Sequence, residues 1–210
     1  MKTMTTGLLA IALATGATAV LAQTKAPLSA TYITREEVDL VLKAPGIDHT
    51  IKVMDIGGQH FTVGVIHRGA TTPRPAASAA APRAAGEAPC GVVEAAPAAD
   101  LSSGLTHDKQ TEGYYIIGGG GVVVTGGHIV NGHLNAPTSD VVTTLNGPSC
   151  SGLIGGGDVV KRAVKVGDIV IIPAGVPHGW AEIADHVDYL SFRPSGDLFT
   201  AGYEHPALKK

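Results

Sequence analysis

Two stretches of the chain carry imidazole and carboxylate groups at spacings that invite chemistry. The first is "HDKQTEGYYIIGG", with His107 and Glu112. The second is "GDIVIIPAGVPHGWAEI", in which His178 follows two prolines and a glycine. Such groups ligate metal ions and move protons. Taken singly, a histidine at a strand end is more often a hydrogen-bonded rim residue, because buried polar groups find a partner. What these three can do depends on the elements that hold them.

Those elements are strands. From Asp48 onward the hydrophobic pattern alternates with period two, in "HTIKVMDI" and "HFTVGVIHR". Strand signals continue in "SGLTH", "GYYII", "GVVVTGG", "DVVTTL", "DVVKRAVKV", "DIVIIP", "GWAEI" and "HVDYLSF", with Gly, Asp, Asn or Pro at each break. The glycines Gly118 to Gly121 lack the Lys-Ser/Thr of a phosphate loop and read as a tight hairpin turn. One helix precedes the strands. Thr34 caps "REEVDLVLK" with Glu37 three residues on, and Val38, Val41 and Leu42 share a face that should pack on the outside of the domain. Many short strands and one helix predict an all-β barrel or sandwich.

Composition narrows the class. A net charge of −3, with 15 basic and 18 acidic residues, offers no basic stripe for nucleic acid. The first 22 residues read as an export signal: Lys2, an apolar small-residue run, then Val20-Leu21-Ala22. No later stretch is apolar and long enough to span a bilayer. The expected organisation is a signal at 1–22, an arm and helix at 23–47, a barrel at 48–196 and a tail at 197–210. Within the barrel, the Ala/Pro-rich segment 70–100 reads as a disordered insertion between two strands. Export would place the protein in the periplasm or outside the cell, where Cys90 and Cys150 either pair or remain two unrelated thiols.

The second stretch spells G-x5-P-x-G-x2-H from Gly167 to His178, and the first places His107, Glu112 and Gly119 in order. Together they resemble the two signatures of the cupin superfamily, over about Asp48 to Arg193 and interrupted by the insertion. The chain is similar to small single-domain cupins of the type-2 kind. It departs from them at Leu105, where the first signature has a further histidine, at Ala99 in place of the leading glycine, and at Glu182 in place of an asparagine.

The resemblance implies a cupin-type double-stranded β-helix, a jelly-roll barrel with a short N-terminal helix. It implies that His107, Glu112 and His178 bind a divalent metal, and two imidazoles with one carboxylate suit Fe, Mn, Ni, Cu or Zn. It also implies a homodimer and a small-molecule ligand or substrate. Three functions follow as expectations: metal-dependent dioxygenase, lyase or isomerase chemistry, non-catalytic binding of a metal or small ligand in the cell envelope, or a structural or oligomeric barrel with a vestigial site. Losing a ligand at Leu105 opens a coordination position and also weakens the site.

Strand parity turns Tyr114 and Trp180 inward beside Leu105, Tyr114 either as ordinary barrel core, which suits a strand tyrosine better, or as pocket lining, and Trp180 as a pocket wall. Arg162 and Arg193 are carboxylate partners in principle, although most strand arginines reach solvent. His67 is a poor ligand on the expectation that its strand pairs with "SGLTH". His128 and His133 read as loop residues, and His49, His60, His186 and His205 have no spacing that recommends them.

Overall fold

The computed structural model describes residues 29–71, 87–196 and 198–209. The expected export signal lies outside them, as does the 72–86 part of the insertion.

The helix forms where its cap predicts. In α1 (Arg35–Leu42) the Glu37 N–H donates to the Thr34 hydroxyl, and the Thr34 N–H donates to the Glu37 carboxylate. Its buried face, Val38 and Val41, packs on Ile51, Val63 and Val65. Burying each valine stabilises the contact by about 1.5–3 kcal/mol.

The strands follow in the order β1 (Asp48–Asp55), β2 (His60–Gly69), β3 (Pro89–Cys90), β4 (Ser102–His107), β5 (Glu112–Thr125), β6 (His128–Leu134), β7 (Ser149–Gly155), β8 (Val160–Lys165), β9 (Ile169–Ile172), β10 (His178–Glu182) and β11 (His186–Gly196). Every pairing among them is antiparallel. One sheet runs β1-β2-β11-β5-β9; the other runs β3-β6-β7-β4-β10-β5-β8. β5 belongs to both, so the two sheets wrap around one interior as a jelly roll. That interior is built from Ile66, Ile116, Val123, Ile172, Val187 and the aromatics Tyr114, Trp180 and Tyr189.

Several local expectations give way. Gly118 to Gly121 do not turn the chain. β5 runs straight through them, pairing with β11 and β9 in its first half and with β10 and β8 in its second. Gly119 has a φ of 59°, and a Cβ there would strike the His186 carbonyl, so glycine is needed where the strand crosses between sheets. "DVVTTL" forms a short π-helical turn, Val141–Leu145. The Thr143 and Thr144 hydroxyls donate to the Ser139 and Asp140 carbonyls at 3.0 and 2.7 Å, a local alternative to a strand ladder. His128 and His133 sit in β6, not in a loop.

The far end of the insertion is also ordered. Cys90 and Cys150 form a disulfide, β3 pairs with β6, and Asn131 exchanges two hydrogen bonds with the Glu94 backbone at 2.9 and 2.8 Å. This strap covers Val124, Ile129 and Ile154, which face away from the interior. Its Ala/Pro-rich composition hides the two anchors, Cys90 and the Asn131 contact, that offset its low intrinsic preference for structure. The tail packs too: the His205 N–H donates to the Ile51 carbonyl at 2.9 Å.

Candidate metal centre and cavity

His107 is the last residue of β4, Glu112 the first of β5 and His178 the first of β10. The turn before His178 is fixed by Gly175, whose φ is 80° and whose N–H donates to the His107 carbonyl at 2.8 Å. All three side chains are buried, with no more than 3% of any residue exposed. One ligating atom from each lies within 4.8 Å of the others, and among the described residues no other His/Cys/Asp/Glu group meets that test.

The tautomers follow from the partners. His107 Nδ1 lies 3.0 Å from the Asn146 carbonyl, and His178 Nδ1 lies 2.9 Å from the Val176 carbonyl. A carbonyl only accepts, so each Nδ1 carries its proton and the other ring nitrogen, Nε2, faces Glu112. Those Nε2 atoms stand 2.9 and 3.3 Å from Glu112 Oε2. Two lone pairs facing a carboxylate repel it unless a positive charge sits among them, either a proton or a metal ion. Ligand atoms held about 2.1 Å from one ion at right angles stand about 3 Å apart, so the donor set fits a divalent transition ion.

Glu112 is held from behind. Its Oε1 accepts from Ser191 Oγ at 2.5 Å and from Arg193 Nε at 2.8 Å. Burial would raise the Glu112 carboxyl, but the Arg193 charge foremost, with the His107 and His178 rings beside it, holds it well below the usual carboxylate range. Arg193 in turn donates to the Leu145 carbonyl through Nη1 and reaches Asp48 at 3.1 Å through Nη2. Burial alone would lower its pKa; Asp48 and Glu112 raise it. The expectation that strand arginines reach solvent therefore fails for Arg193, which is 1% exposed, and holds for Arg162, which is exposed on β8.

A cavity of about 470 Å³ adjoins the three residues. Leu105, Tyr114 and Trp180 line it. Leu105 is the direct cross-strand partner of His178, so the departure from the signature puts an apolar side chain beside the centre. The Tyr114 ring lies 4.3 Å from that of Tyr189 and 6.5 Å from that of Trp180. Burial foremost, with Glu112 adding to it, pushes the Tyr114 phenol well above its ordinary value, so it stays protonated. Arg68 completes the wall, its Nε donating to the Tyr189 hydroxyl at 3.3 Å.

His67 lies elsewhere, and the pairing expected for its strand is wrong. β2 pairs with β1 and β11, and His67 Nδ1 meets Asp188 at 2.6 Å. Sequence reading missed Ser191, Asn146, Asp48 and Arg68. The signal for Ser191 was present: it shares one parity on β11 with Tyr189 and Arg193 and so faces inward with them.

The shared strand β5, with an inward His–Glu–His group at one mouth of the barrel, decides the architecture. The fold is that of a cupin. No family model and no curated protein matches the sequence. Among solved structures, the chain is similar to an uncharacterised double-stranded β-helix protein of Klebsiella pneumoniae, 13% identical, covering 81% of this chain and 94% of that one, with a TM-score of 0.37. It is also similar to an oxalate oxidase in complex with glycolate, 15% identical, covering 73% of this chain and 53% of that one, at 0.31. A third is the Lactobacillus farciminis oxalate decarboxylase formate complex, 12% identical, covering 74% of this chain and 34% of that one, at 0.29. The chain thus spans about half of the oxidase and a third of the decarboxylase. No helix among the described residues is long and apolar enough to cross a membrane.

Proposed function

We propose that this cupin holds a divalent transition metal ion at His107, Glu112 and His178 and acts on a small molecule in the adjoining cavity. One observation carries the reading. Both Nδ1–H groups are committed to backbone carbonyls, so two imidazole lone pairs and one carboxylate oxygen converge on one point. When bound, the ion would polarise a ligand oxygen or hold dioxygen beside the ligand, which suits dioxygenase, lyase or isomerase chemistry. Arg193 and Ser191 keep Glu112 charged and aimed at that point. The protonated Tyr114 phenol is available to donate a hydrogen bond to a bound ligand, and Leu105 and Trp180 shed water from it. A periplasmic or secreted setting belongs to the proposal, and the Cys90–Cys150 disulfide supports it, because disulfides persist in oxidising compartments.

A second reading, binding without turnover, is favoured by Leu105, which stands where the cupin signature places a further ligand. Metal analysis after reconstitution tests both. About one equivalent of bound ion is expected, and His107→Ala or His178→Ala should each weaken affinity by more than about a hundredfold. Unchanged affinity in either variant removes that residue from the centre, and failure of the wild type to take up any ion defeats the metal-dependent reading and leaves only metal-free ligand binding. Dioxygen consumption, or ligand turnover, with candidate phenols, diketones and carboxylates separates enzyme from binder.

A further inference from the structure

The charges around the cavity do not balance one by one. Glu112 and Asp48 both line it, and both are answered by Arg193. Arg68 lines the same cavity, and among the described residues no carboxylate lies within ion-pair distance of its guanidinium. Among the described residues its one partner is neutral, the Tyr189 hydroxyl, and that bond uses Nε alone. The two Nη groups, the fork that grips a carboxylate in bidentate fashion, have no acceptor among the described residues.

Position sharpens the point. Arg68 is opposite Val187 on β11, two residues before Tyr189 on the same inward face. The guanidinium meets the aromatic wall at the Tyr189 hydroxyl, and the rings of Tyr189, Tyr114 and Trp180 have centroids 4.3 to 6.5 Å apart. Asp48 acts on Arg68 only at a distance, so the fork itself has no anion in contact with it among the described residues. Arg68 and Arg193 together match Glu112 and Asp48 in number, so a divalent ion at the centre would leave the interior net positive.

We propose that the cavity takes a small carboxylate with an apolar body. The carboxylate is gripped by the Arg68 fork and the body lies on Tyr114, Trp180 and Tyr189, with its far end toward His107, Glu112 and His178. The inference deepens the proposed function and rests on its reading of the cavity as the ligand site. Arg68 is a specificity-determining residue on this view. It selects for charge, and it takes no part in holding the metal.

Trp180 is the only tryptophan of the chain and lines the cavity, so its fluorescence reports occupancy. The Mn²⁺-loaded protein is titrated with benzoate, with cyclohexanecarboxylate and with benzamide, the neutral counterpart of benzoate. The acids should bind saturably, and benzoate at least about tenfold more tightly than benzamide, the scale of a charge-assisted pair. Arg68→Met should abolish that preference while leaving Mn²⁺ affinity, read by electron paramagnetic resonance, unchanged. Arg68→Lys, which keeps the charge without the fork, should retain part of it, and the exposed Arg162→Met should retain all of it. Equal affinity for benzoate and benzamide, a preference that survives Arg68→Met, or no saturable binding of either acid overturns the inference. Failure of the metal reading looks different: the wild type would take up no Mn²⁺, while an Arg68-dependent preference for benzoate persisted in the metal-free protein.

Discussion

Arg193 and Arg68 stand on neighbouring strands and face the same interior, yet one is fully spent and the other is not. Arg193 binds Glu112, Asp48 and the Leu145 carbonyl and is sealed from solvent. Arg68 has one neutral partner and a half-open position. The first is part of the scaffold that keeps a carboxylate charged inside a protein. The second is a guanidinium whose fork has no contacting acceptor among the described residues. The contrast teaches that burial alone does not mark a functional arginine; what matters is whether its hydrogen-bonding capacity is already used.

The contrast breaks most visibly at Arg193. Arg193→Met leaves the Glu112 carboxylate buried beside a lost cation, and urea unfolding should show a loss of about 3–5 kcal/mol. Adding Glu112→Gln to that variant should restore part of the loss, because the stranded charge is gone; strictly additive effects would mean the two side chains do not cooperate. A smaller effect is expected at the outer wall. Replacing Cys90 and Cys150 by serine should cost about 2–4 kcal/mol through the freed denatured chain while metal uptake stays intact, since the strap touches neither arginine. Loss of metal binding in that variant would tie the strap to the centre. The smallest change belongs to Arg68→Met, which should alter stability in the same urea assay by no more than about 1 kcal/mol. A loss as large as that of Arg193→Met would make Arg68 structural and erase the distinction.

What sequence could reveal follows the same line. Spacing placed His107, Glu112 and His178 on strand ends that meet, because signature positions encode turn geometry as well as chemistry. The capping box at Thr34 and Glu37 was legible because every atom it needs lies within one helical turn. Arg193 was not, since its partners come from β1, β5 and the turn ending at Leu145, and nothing in "FRPSG" announces them. Gly118 to Gly121 misled because a glycine run signals a turn locally, while here it admits neighbouring backbones on both sides of one long strand. The strap was hidden because composition outweighed a single cysteine whose partner lies 60 residues away.

The pairing of β2 with β11 carries a consequence for the order of assembly. His67 and Asp188, joined across it, are 121 residues apart. Contacts so distant are made late, because loop closure must be achieved before they reward the chain. During synthesis the sheet formed by β1 and β2 therefore waits for the last strand, and Glu112 waits with it, because Ser191 and Arg193 arrive on that strand. Until β11 docks, the carboxylate has no buried counter-charge and is best left in water. The barrel's closing event and the preparation of its centre are thus one step, and a nascent chain stopped before residue 186 should remain open at that mouth.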